Sequence, residues 1–167
     1  ALPQPRATPW VSRPAAGRYG APMEIDRRRV VLTGASGGLG AAMAEELARR
    51  GAQLVLTARR AAELEQLAAA TRGEVLVADL TDRGDLERVL AEVRSADILV
   101  ANAGIGADVP LEQLTAADVD RSIEVNLRAP IIMATEFANA RVSQRLPGQI
   151  VFIGSLADRH VFPSNAV

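Results

Sequence analysis

The chain has 167 residues, 49% of them hydrophobic, and a formal net charge of −1 at pH 7. This length suits one domain of ordinary size, and the balanced charge gives no sign of a nucleic-acid partner. Cysteine is absent, which excludes disulfides and cysteine-based metal sites, and the single His160 has no neighbouring ligand set, so no metal is expected. No apolar run approaches the roughly 18 residues that span a bilayer, so no membrane partner is expected, and a reducing, cytoplasmic location fits.

Residues 1–22 differ in composition from the rest of the chain. They hold five of the nine prolines, three arginines and no acidic residue. Proline at this density removes backbone donors and breaks helices, so these residues are predicted to be a disordered tail. An organelle transit peptide is the alternative, but serine is scarce and no amphipathic period shows. Residues 23–167 are expected to form one domain.

From Arg29 onward, short apolar runs alternate with helical stretches. The runs predicted as strands are 30–34, 53–58, 74–80, 97–104 and 149–155. The predicted helices are 41–51 with Gly51 as its stop, 61–70, 86–94 after the capping-box pair Asp82 and Asp85, and 116 to about 145 after the pair Thr115 and Asp118, with Pro130 bending or dividing the last. Apolar runs without polar alternation predict strands buried on both faces. The alternation of strands and helices predicts an α/β fold, a doubly wound parallel sheet with helices on both faces.

A glycine-rich turn, TGASGGLG at residues 33–40, joins the first strand to the first helix. Gly34 lets the chain leave the strand in a tight turn, Gly38 lacks a side chain where a pyrophosphate would approach, and Gly40 allows close helix packing. The helix N-terminus offers free N–H groups and a positive dipole end to phosphates. No Lys-Ser or Lys-Thr pair follows, which excludes a P-loop. The spacing T-G-x-x-x-G-x-G also differs from the G-x-G-x-x-G of ordinary dinucleotide-binding folds.

Further motifs follow the glycine turn in order along the chain. Asp79-Leu80 comes after the third strand, Asn102-Ala103-Gly104 closes the fourth, Asn126 lies in the long helix and Ser155 ends the fifth strand. Over residues 30–155 this arrangement resembles the short-chain dehydrogenase/reductase family of the classical type. The resemblance implies a Rossmann-like sheet, of which five of about seven strands are present in this chain.

The resemblance also implies a role for each matching residue. Cofactor contacts are implied for Gly34, Ser36, Gly37, Gly38, Leu39 and Gly40 in the turn, for Asp79 and Leu80 against the adenine, and for Asn102, Ala103 and Gly104 beside the cofactor. Ser155 is implied to hydrogen-bond the substrate oxygen, and Asn126 to hold a water in a proton relay. The family moves a hydride between a nicotinamide and a carbonyl or alcohol carbon, so a small-molecule substrate and a homo-oligomeric parent protein are implied. Without the family, Asn126 and Ser155 are ordinary polar residues of a helix and a turn.

The end of the second strand bears on the choice of nicotinamide. In dinucleotide-binding folds an acid there binds the ribose 2′-hydroxyl and favours NAD. Here Ala58 stands at about that place and Arg59 follows it. A guanidinium binds a 2′-phosphate through paired hydrogen bonds, so Arg59 predicts NADP(H) rather than NAD(H). Many NADP-using relatives also carry a basic residue in the glycine turn, where this chain has Gly37, and a solvated arginine pair at a helix start is the alternative interpretation.

The family's Tyr-x-x-x-Lys pair is absent from these 167 residues. All 19 basic residues are arginine, so the sequence contains no lysine, and the single Tyr19 precedes the regular pattern. In the family the Tyr follows the Ser by a short stretch, which from Ser155 leads to the region of Val167. The chain is therefore expected to be an N-terminal fragment of a longer enzyme and to be inactive by itself.

Other classes of function stay open on the sequence alone. The missing pair also fits a non-catalytic dinucleotide-binding or regulatory module. An extended-type epimerase uses the same kind of sheet, although Asn102-Ala103-Gly104 and Ser155 resemble the classical dehydrogenases better. A methyltransferase normally ends its second strand with an acid, and Ala58-Arg59 argues against that class. Fold alone does not decide among these functions.

Overall fold

The computed structural model describes residues 23–106 and 109–155. The strands are β1 (Arg29–Thr33), β2 (Gln53–Ala58), β3 (Glu74–Val77), β4 (Ile98–Ala101) and β5 (Gln149–Phe152). The α-helices are α1 (Gly38–Arg49), α2 (Ala61–Thr71), α3 (Arg83–Ser95), α4 (Ala116–Ile123) and α5 (Ala129–Gln144), and a short 3-10 helix, Leu111–Gln113, precedes α4. The disordered tail predicted for residues 1–22 and the assignment of His160 lie outside the described residues.

The strands form one parallel sheet in the order β3-β2-β1-β4-β5. In the register of the sheet, Val30 of β1 lies opposite Leu54 of β2 on one side and Ile98 of β4 on the other. The chain therefore runs outward from β1 toward β3, then crosses back to β4 on the opposite side. The carboxyl ends of β1 and β4 flank this topological switch point, where open α/β sheets bind their ligands. The predicted doubly wound parallel sheet is confirmed.

Side chains that alternate along the strands belong to two separate cores. On one face, Val31, Val55 and Leu99 pack with residues of α3 and α5. On the other face, Val30 and Leu56 pack with residues of α1 and α2. Successive strand residues point to opposite faces, so a strand with helices on both sides is apolar at every position. This explains why the runs of β1, β2 and β4 show no polar alternation.

The prediction that every strand is buried on both faces is wrong for the sheet edges. Val75 and Val77 of β3 are 40% and 37% exposed, and Phe152 of β5 is 58% exposed. Each of these strands has one neighbour among the described residues, because β3 and β5 end the strand order. An edge strand and a central strand carry similar apolar runs, and only the strand order separates them.

The two predicted capping boxes form to different extents. At α4, Asp118 N donates to Thr115 Oγ1 at 3.2 Å and Thr115 N donates to Asp118 Oδ2 at 3.0 Å, which completes the box. At α3, Asp85 N donates to Asp82 Oδ1 at 2.9 Å, but the Asp85 carboxylate accepts from Asp79 N instead of closing the box. Asp85 therefore fixes the loop after β3, which carries Asp79 toward the carboxyl edge of the sheet.

The long helical region divides close to Pro130, as the sequence predicted, and the dividing element is a π-helical turn. A π-helical turn, Glu124–Arg128, separates α4 from α5, and Pro130 follows within the first turn of α5. Proline has no N–H to donate to the carbonyl four residues earlier, so the regular α-helical ladder is interrupted here. The π-helical turn holds Asn126 near its centre. Within the described residues, no helix has the length and apolar character that crossing a bilayer requires.

Candidate functional site

The glycine turn is shaped by close contact with the end of β4. Gly34 has a φ of +66°, and a Cβ built on it would lie 2.8 Å from Ala103 Cα and 3.0 Å from Asn102 Nδ2. A side chain at this position is therefore excluded by backbone conformation and by space. The tight turn after β1 and the Asn102 loop after β4 are in this way packed directly against each other.

Hydrogen bonds join the same two segments. The Thr33 hydroxyl, fully buried at the end of β1, accepts from Asn102 N and from Ala103 N, both at 3.0 Å. In return, Asn102 Nδ2 donates to the carbonyl oxygens of Thr33 at 3.0 Å and Gly34 at 3.2 Å. Buried backbone N–H and C=O groups just beyond the end of a strand have no partner within the sheet, so they need other hydrogen-bond partners. The Asn102 amide and the Thr33 hydroxyl together fix the geometry of the switch point.

A cleft of about 440 Å³ opens above these segments, along the carboxyl ends of the strands. It is lined by every residue predicted to bind a cofactor, namely Gly34, Ser36, Gly37, Gly38, Leu39, Gly40, Arg59, Asp79, Leu80, Asn102, Ala103 and Gly104. It is also lined by residues that the sequence did not single out, including Arg60, Thr57, Ile105 and Val125. In the sequence, the one indication that Arg60 belongs to the site was its position next to Arg59.

The N-terminus of α1 faces this cleft and is well suited to an anion. Gly37 is the N-cap residue, no side chain caps this helix end, and its first turn contains no acidic residue. Free backbone N–H groups and the helix dipole therefore point toward the cleft. A Cβ on Gly38 would meet no atom within 4 Å, so the absence of a side chain there leaves open space on the cleft side.

Charged side chains stand at the β2 and β3 end of the cleft. Burial, the largest single influence, raises the pKa of the Asp79 carboxyl, and the two hydrogen bonds donated by Thr81 lower it. Arg59 and Arg121 add positive charge nearby, and Arg121 Nη2 lies 3.8 Å from Asp79 Oδ2, so the pKa of Asp79 falls below its ordinary value. Within residues 23–106 and 109–155, Arg59 forms no salt bridge. Its guanidinium is thus available to an anion in the cleft.

Asn126 is held by both polar atoms of its side chain. Its Oδ1 accepts from Ile105 N at 2.9 Å, and its Nδ2 donates to Ile105 O at 2.7 Å. Ile105 directly follows the Asn102-Ala103-Gly104 segment, so the π-helical turn is fastened to the loop that lines the cleft. Asn126 itself is not among the cleft-lining residues.

Replacing Asn126 with aspartate should therefore destabilise the chain. The change keeps the acceptor but sets a carboxylate oxygen against the Ile105 carbonyl, where Nδ2 now donates at 2.7 Å. We expect a loss of about 1 kcal/mol at pH 7, measured by urea denaturation, because a donor is replaced by a repelling acceptor. Asn139→Asp, on the exposed side of α5, is the matched control and should change little. Equal effects of the two changes would contradict the structural role of Asn126.

Ser155, the other residue predicted to be catalytic, lies three positions beyond the end of β5. It is exposed and stands at the same carboxyl edge of the sheet as the cleft, because β5 runs parallel to β4. It does not line the cleft. No group of three or more His, Asp or Glu side chains suited to a metal ion occurs in the described part of the chain.

The parallel sheet, the glycine turn and the cleft at the carboxyl edge define a doubly wound α/β domain, and its family can now be stated. Residues 28–167 match the profile of the short chain dehydrogenase family. The chain belongs to this family, which confirms the resemblance drawn from the glycine turn and the motifs that follow it.

Particular relatives are reductases. The chain is 36% identical over 141 residues to the D-erythrulose reductase of Gallus gallus. The aligned region covers 84% of this chain and 57% of that protein. The chain is 35% identical over 141 residues to the L-xylulose reductase of Homo sapiens, with coverage of 84% and 58%. A solved short-chain dehydrogenase from Sphingobium yanoikuyae in complex with NADPH is 40% identical, with a TM-score of 0.73 over 78% of this chain and 54% of that one. The chain thus spans less than two thirds of the length of these relatives.

Proposed function

We propose that the chain binds NADP(H) in the cleft above β1, β2 and β4. We further propose that the whole protein is an oxidoreductase that transfers a hydride between the nicotinamide and a small carbonyl or alcohol substrate. The observation that carries the proposal is that an uncapped helix N-terminus and two arginines share a cleft in which β2 ends with Ala58 instead of an acid. Such a cleft suits a dinucleotide with an extra phosphate on its ribose.

Each end of the cleft has groups that fit one part of this cofactor. The backbone N–H groups that follow Gly37 can bind the pyrophosphate, and the open space at Gly38 allows its close approach. Asp79 and Leu80 line the end of the cleft that would hold the adenine, and the guanidinium of Arg59 would bind the 2′-phosphate. The solved relative from Sphingobium yanoikuyae, which contains NADPH, supports NADP(H) over NAD(H).

The remaining residues of the site either position the loop after β4 or contact the substrate. Asn102 holds the loop after β4 against the turn after β1 and so sets the width of the cleft. Both polar atoms of the Asn126 side chain form hydrogen bonds with Ile105, so we assign Asn126 the role of positioning the loop after β4. Ser155 is assigned a hydrogen bond to the substrate oxygen, on which negative charge develops during reduction. The nicotinamide, when bound, supplies or accepts the hydride.

A second candidate function rests on composition. The 167 residues contain no lysine, so the Tyr-x-x-x-Lys pair of the family is not among them. Proton transfer to a substrate needs a positioned acid or base of suitable pKa. If the whole protein lacks such a group, the same cleft fits a dinucleotide-binding or regulatory module that performs no chemistry.

Arg59 provides the test of cofactor choice. Replacing it with alanine should weaken NADPH binding by about tenfold to a hundredfold and change NADH binding little, because a charge-assisted bond to the 2′-phosphate is lost. The measurement is fluorescence titration of the chain with each nucleotide. Arg83→Ala, which removes an arginine that does not line this cleft, is the matched control. Equal affinity of the unaltered chain for NADPH and NADH would refute the NADP(H) assignment.

The reaction is tested separately from binding. NADPH oxidation by the whole protein is followed with small ketoses, starting with erythrulose and xylulose, on which the named relatives act. Turnover that Arg59→Ala weakens would support the oxidoreductase. Tight, selective NADPH binding with no turnover on any carbonyl compound, by the whole protein, would favour the non-catalytic module.

A further inference from the structure

The loop after β3 holds Asp79 by hydrogen bonds to its backbone and to one oxygen of its side chain. Asp79 N donates to Asp85 Oδ2 at 2.8 Å, and the Asp79 carbonyl oxygen accepts from Asp82 N at 2.9 Å. Oδ1 of the Asp79 carboxylate accepts twice from Thr81, from the backbone N–H at 3.0 Å and from the hydroxyl at 2.8 Å. The position of the residue and the orientation of its carboxylate are both fixed in this way.

The other carboxylate oxygen, Oδ2, is available to a ligand. It accepts no hydrogen bond from residues 23–106 and 109–155, and Arg121 Nη2 lies 3.8 Å from it, which is an ion pair without a hydrogen bond. Asp79 lines the cleft, and its side chain is 33% exposed. Since Thr81 occupies Oδ1, Oδ2 is the oxygen that can accept from a donor in the cleft.

The charge of Asp79 determines which ligand groups it favours. Burial, the largest single influence, raises the pKa of its carboxyl, but the hydrogen bonds from Thr81 and the positive charge of Arg59 and Arg121 together lower this pKa below its ordinary value. The group is therefore ionised at neutral pH, and an ionised carboxylate accepts hydrogen bonds but donates none. A ligand group that donates is favoured beside Oδ2, and a group that only accepts is disfavoured.

Purine bases differ in this property at the 6-position. Adenine has an amino group there, which donates, whereas hypoxanthine has a carbonyl oxygen, which accepts. A site built to bond one of these groups rejects the other, because two acceptors then face each other without a proton between them. The orientation of the Asp79 carboxylate therefore bears directly on the choice of base.

The hydroxyl bond of Thr81 is not explained by the start of α3. That helix begins at Arg83, and its N-cap residue Asp82 already accepts from Asp85 N with its own side chain. Thr81 lies before the helix, and its backbone N–H alone closes the turn with Oδ1 of Asp79. The hydroxyl adds a second bond to the same oxygen, which restricts rotation of the carboxylate.

We propose that Thr81 is a positioning residue for base recognition, which holds Oδ1 of Asp79 so that Oδ2 faces the base and 6-amino purine nucleotides are preferred to 6-oxo ones. Thr81 does not itself line the cleft, so it acts through Asp79. The inference rests on the proposed function, because it concerns the adenine end of the same cofactor site.

The test compares NADPH with its 6-deamino analogue, reduced nicotinamide hypoxanthine dinucleotide phosphate, by fluorescence titration of the whole protein. The unaltered protein should bind NADPH about tenfold to a hundredfold more tightly than the analogue. Thr81→Val, which removes the hydroxyl and keeps the backbone N–H, should reduce this preference by about threefold to tenfold. Thr81→Ser keeps the hydroxyl and should keep the preference. Thr135→Val, which removes an exposed hydroxyl that donates to Ile131 O within α5, is the matched control and should leave the preference unchanged.

A second substitution tests the orientation of the side chain. In Asp79→Asn, the two donors of Thr81 should select the amide oxygen, because the amide nitrogen cannot accept. The amide nitrogen then takes the place of Oδ2 and donates to a 6-oxo group, so the preference should reverse toward the hypoxanthine analogue. Adding Thr81→Val to Asp79→Asn should weaken this reversal, whereas a purely structural role of Thr81 would affect both nucleotides alike.

The outcomes distinguish this inference from the proposed function. If the whole protein binds neither nucleotide, both fail. If it binds NADPH and the analogue equally well, Asp79 does not select the base and the inference is wrong, while the Arg59 test still decides the NADP(H) assignment. An unchanged preference in Thr81→Val, or an equal loss of affinity for both nucleotides, would overturn the positioning role of Thr81.

Discussion

Replacing Gly40 with alanine should destabilise the chain by about 3 kcal/mol, because the new Cβ overlaps backbone that cannot move aside. That atom would lie 2.9 Å from Ala35 Cα and far inside contact distance of Gly34 O. Helix α1 would have to lift away from the turn after β1, and the N–H groups that face the cleft would move with it. Nucleotide binding should therefore be lost together with stability.

The same replacement at Gly38 separates these two effects. A Cβ there meets nothing within 4 Å, so the stability of the chain should be unchanged or slightly improved, as expected for alanine in a helix. The methyl group would nevertheless occupy the space through which a pyrophosphate approaches the backbone, and NADPH affinity should fall by more than tenfold. Urea denaturation and NADPH titration of the two variants provide the comparison. Normal NADPH binding by Gly38→Ala would mean that the phosphates lie elsewhere.

Replacing Thr33 with valine should cost about 2 kcal/mol of stability. The Thr33 hydroxyl accepts two backbone N–H bonds, from Asn102 and Ala103, and valine would leave both donors without this partner. The loop after β4 should loosen as a result, which hydrogen exchange at these two amides can detect. The free energy of unfolding is measured in urea without nucleotide.

Thr57 offers a control of the same chemistry in the same register. It lies opposite Thr33 in the neighbouring strand and is 2% exposed, but its hydroxyl has no hydrogen-bond partner among the described residues. Thr57→Val should therefore be neutral or stabilise the chain by about 1 kcal/mol, since it removes an unsatisfied buried polar group. If both valine variants lose stability equally, the hydrogen bonds of Thr33 are not the cause.

Much of the fold follows from local patterns. The apolar runs and capping residues located the strands and helices, since those features depend on neighbours within a few residues. The exposure of Val75 in β3 was not predicted, because an edge strand is defined by the order of the whole sheet. The half-formed capping box at Asp85 was also not predicted: its carboxylate accepts from the Asp79 N–H, while the Asp82 N–H donates to the Asp79 carbonyl oxygen.

The candidate site, like the fold, could be predicted only in part. The glycine turn and Arg59 could be recognised because their spacing and strand position carry the chemistry directly. The contacts of Arg60 with Ser36 and of Asn126 with Ile105 join residues 24 and 21 positions apart, and nothing in the local sequence encodes them. They arise only when the strand ends meet at the switch point.

The number of residues in the π-helical turn Glu124–Arg128 fixes the orientation of α5 relative to α4. It sets the angular phase of everything that follows, including Ala129, Met133 and Phe137, which are buried against the sheet. Deleting a single residue from the turn would rotate α5 by about 100° relative to α4. Either the buried side chains of α5 would turn toward solvent or Asn126 would leave Ile105. Insertions and deletions should thus be tolerated in the loops of this domain and excluded from this one turn.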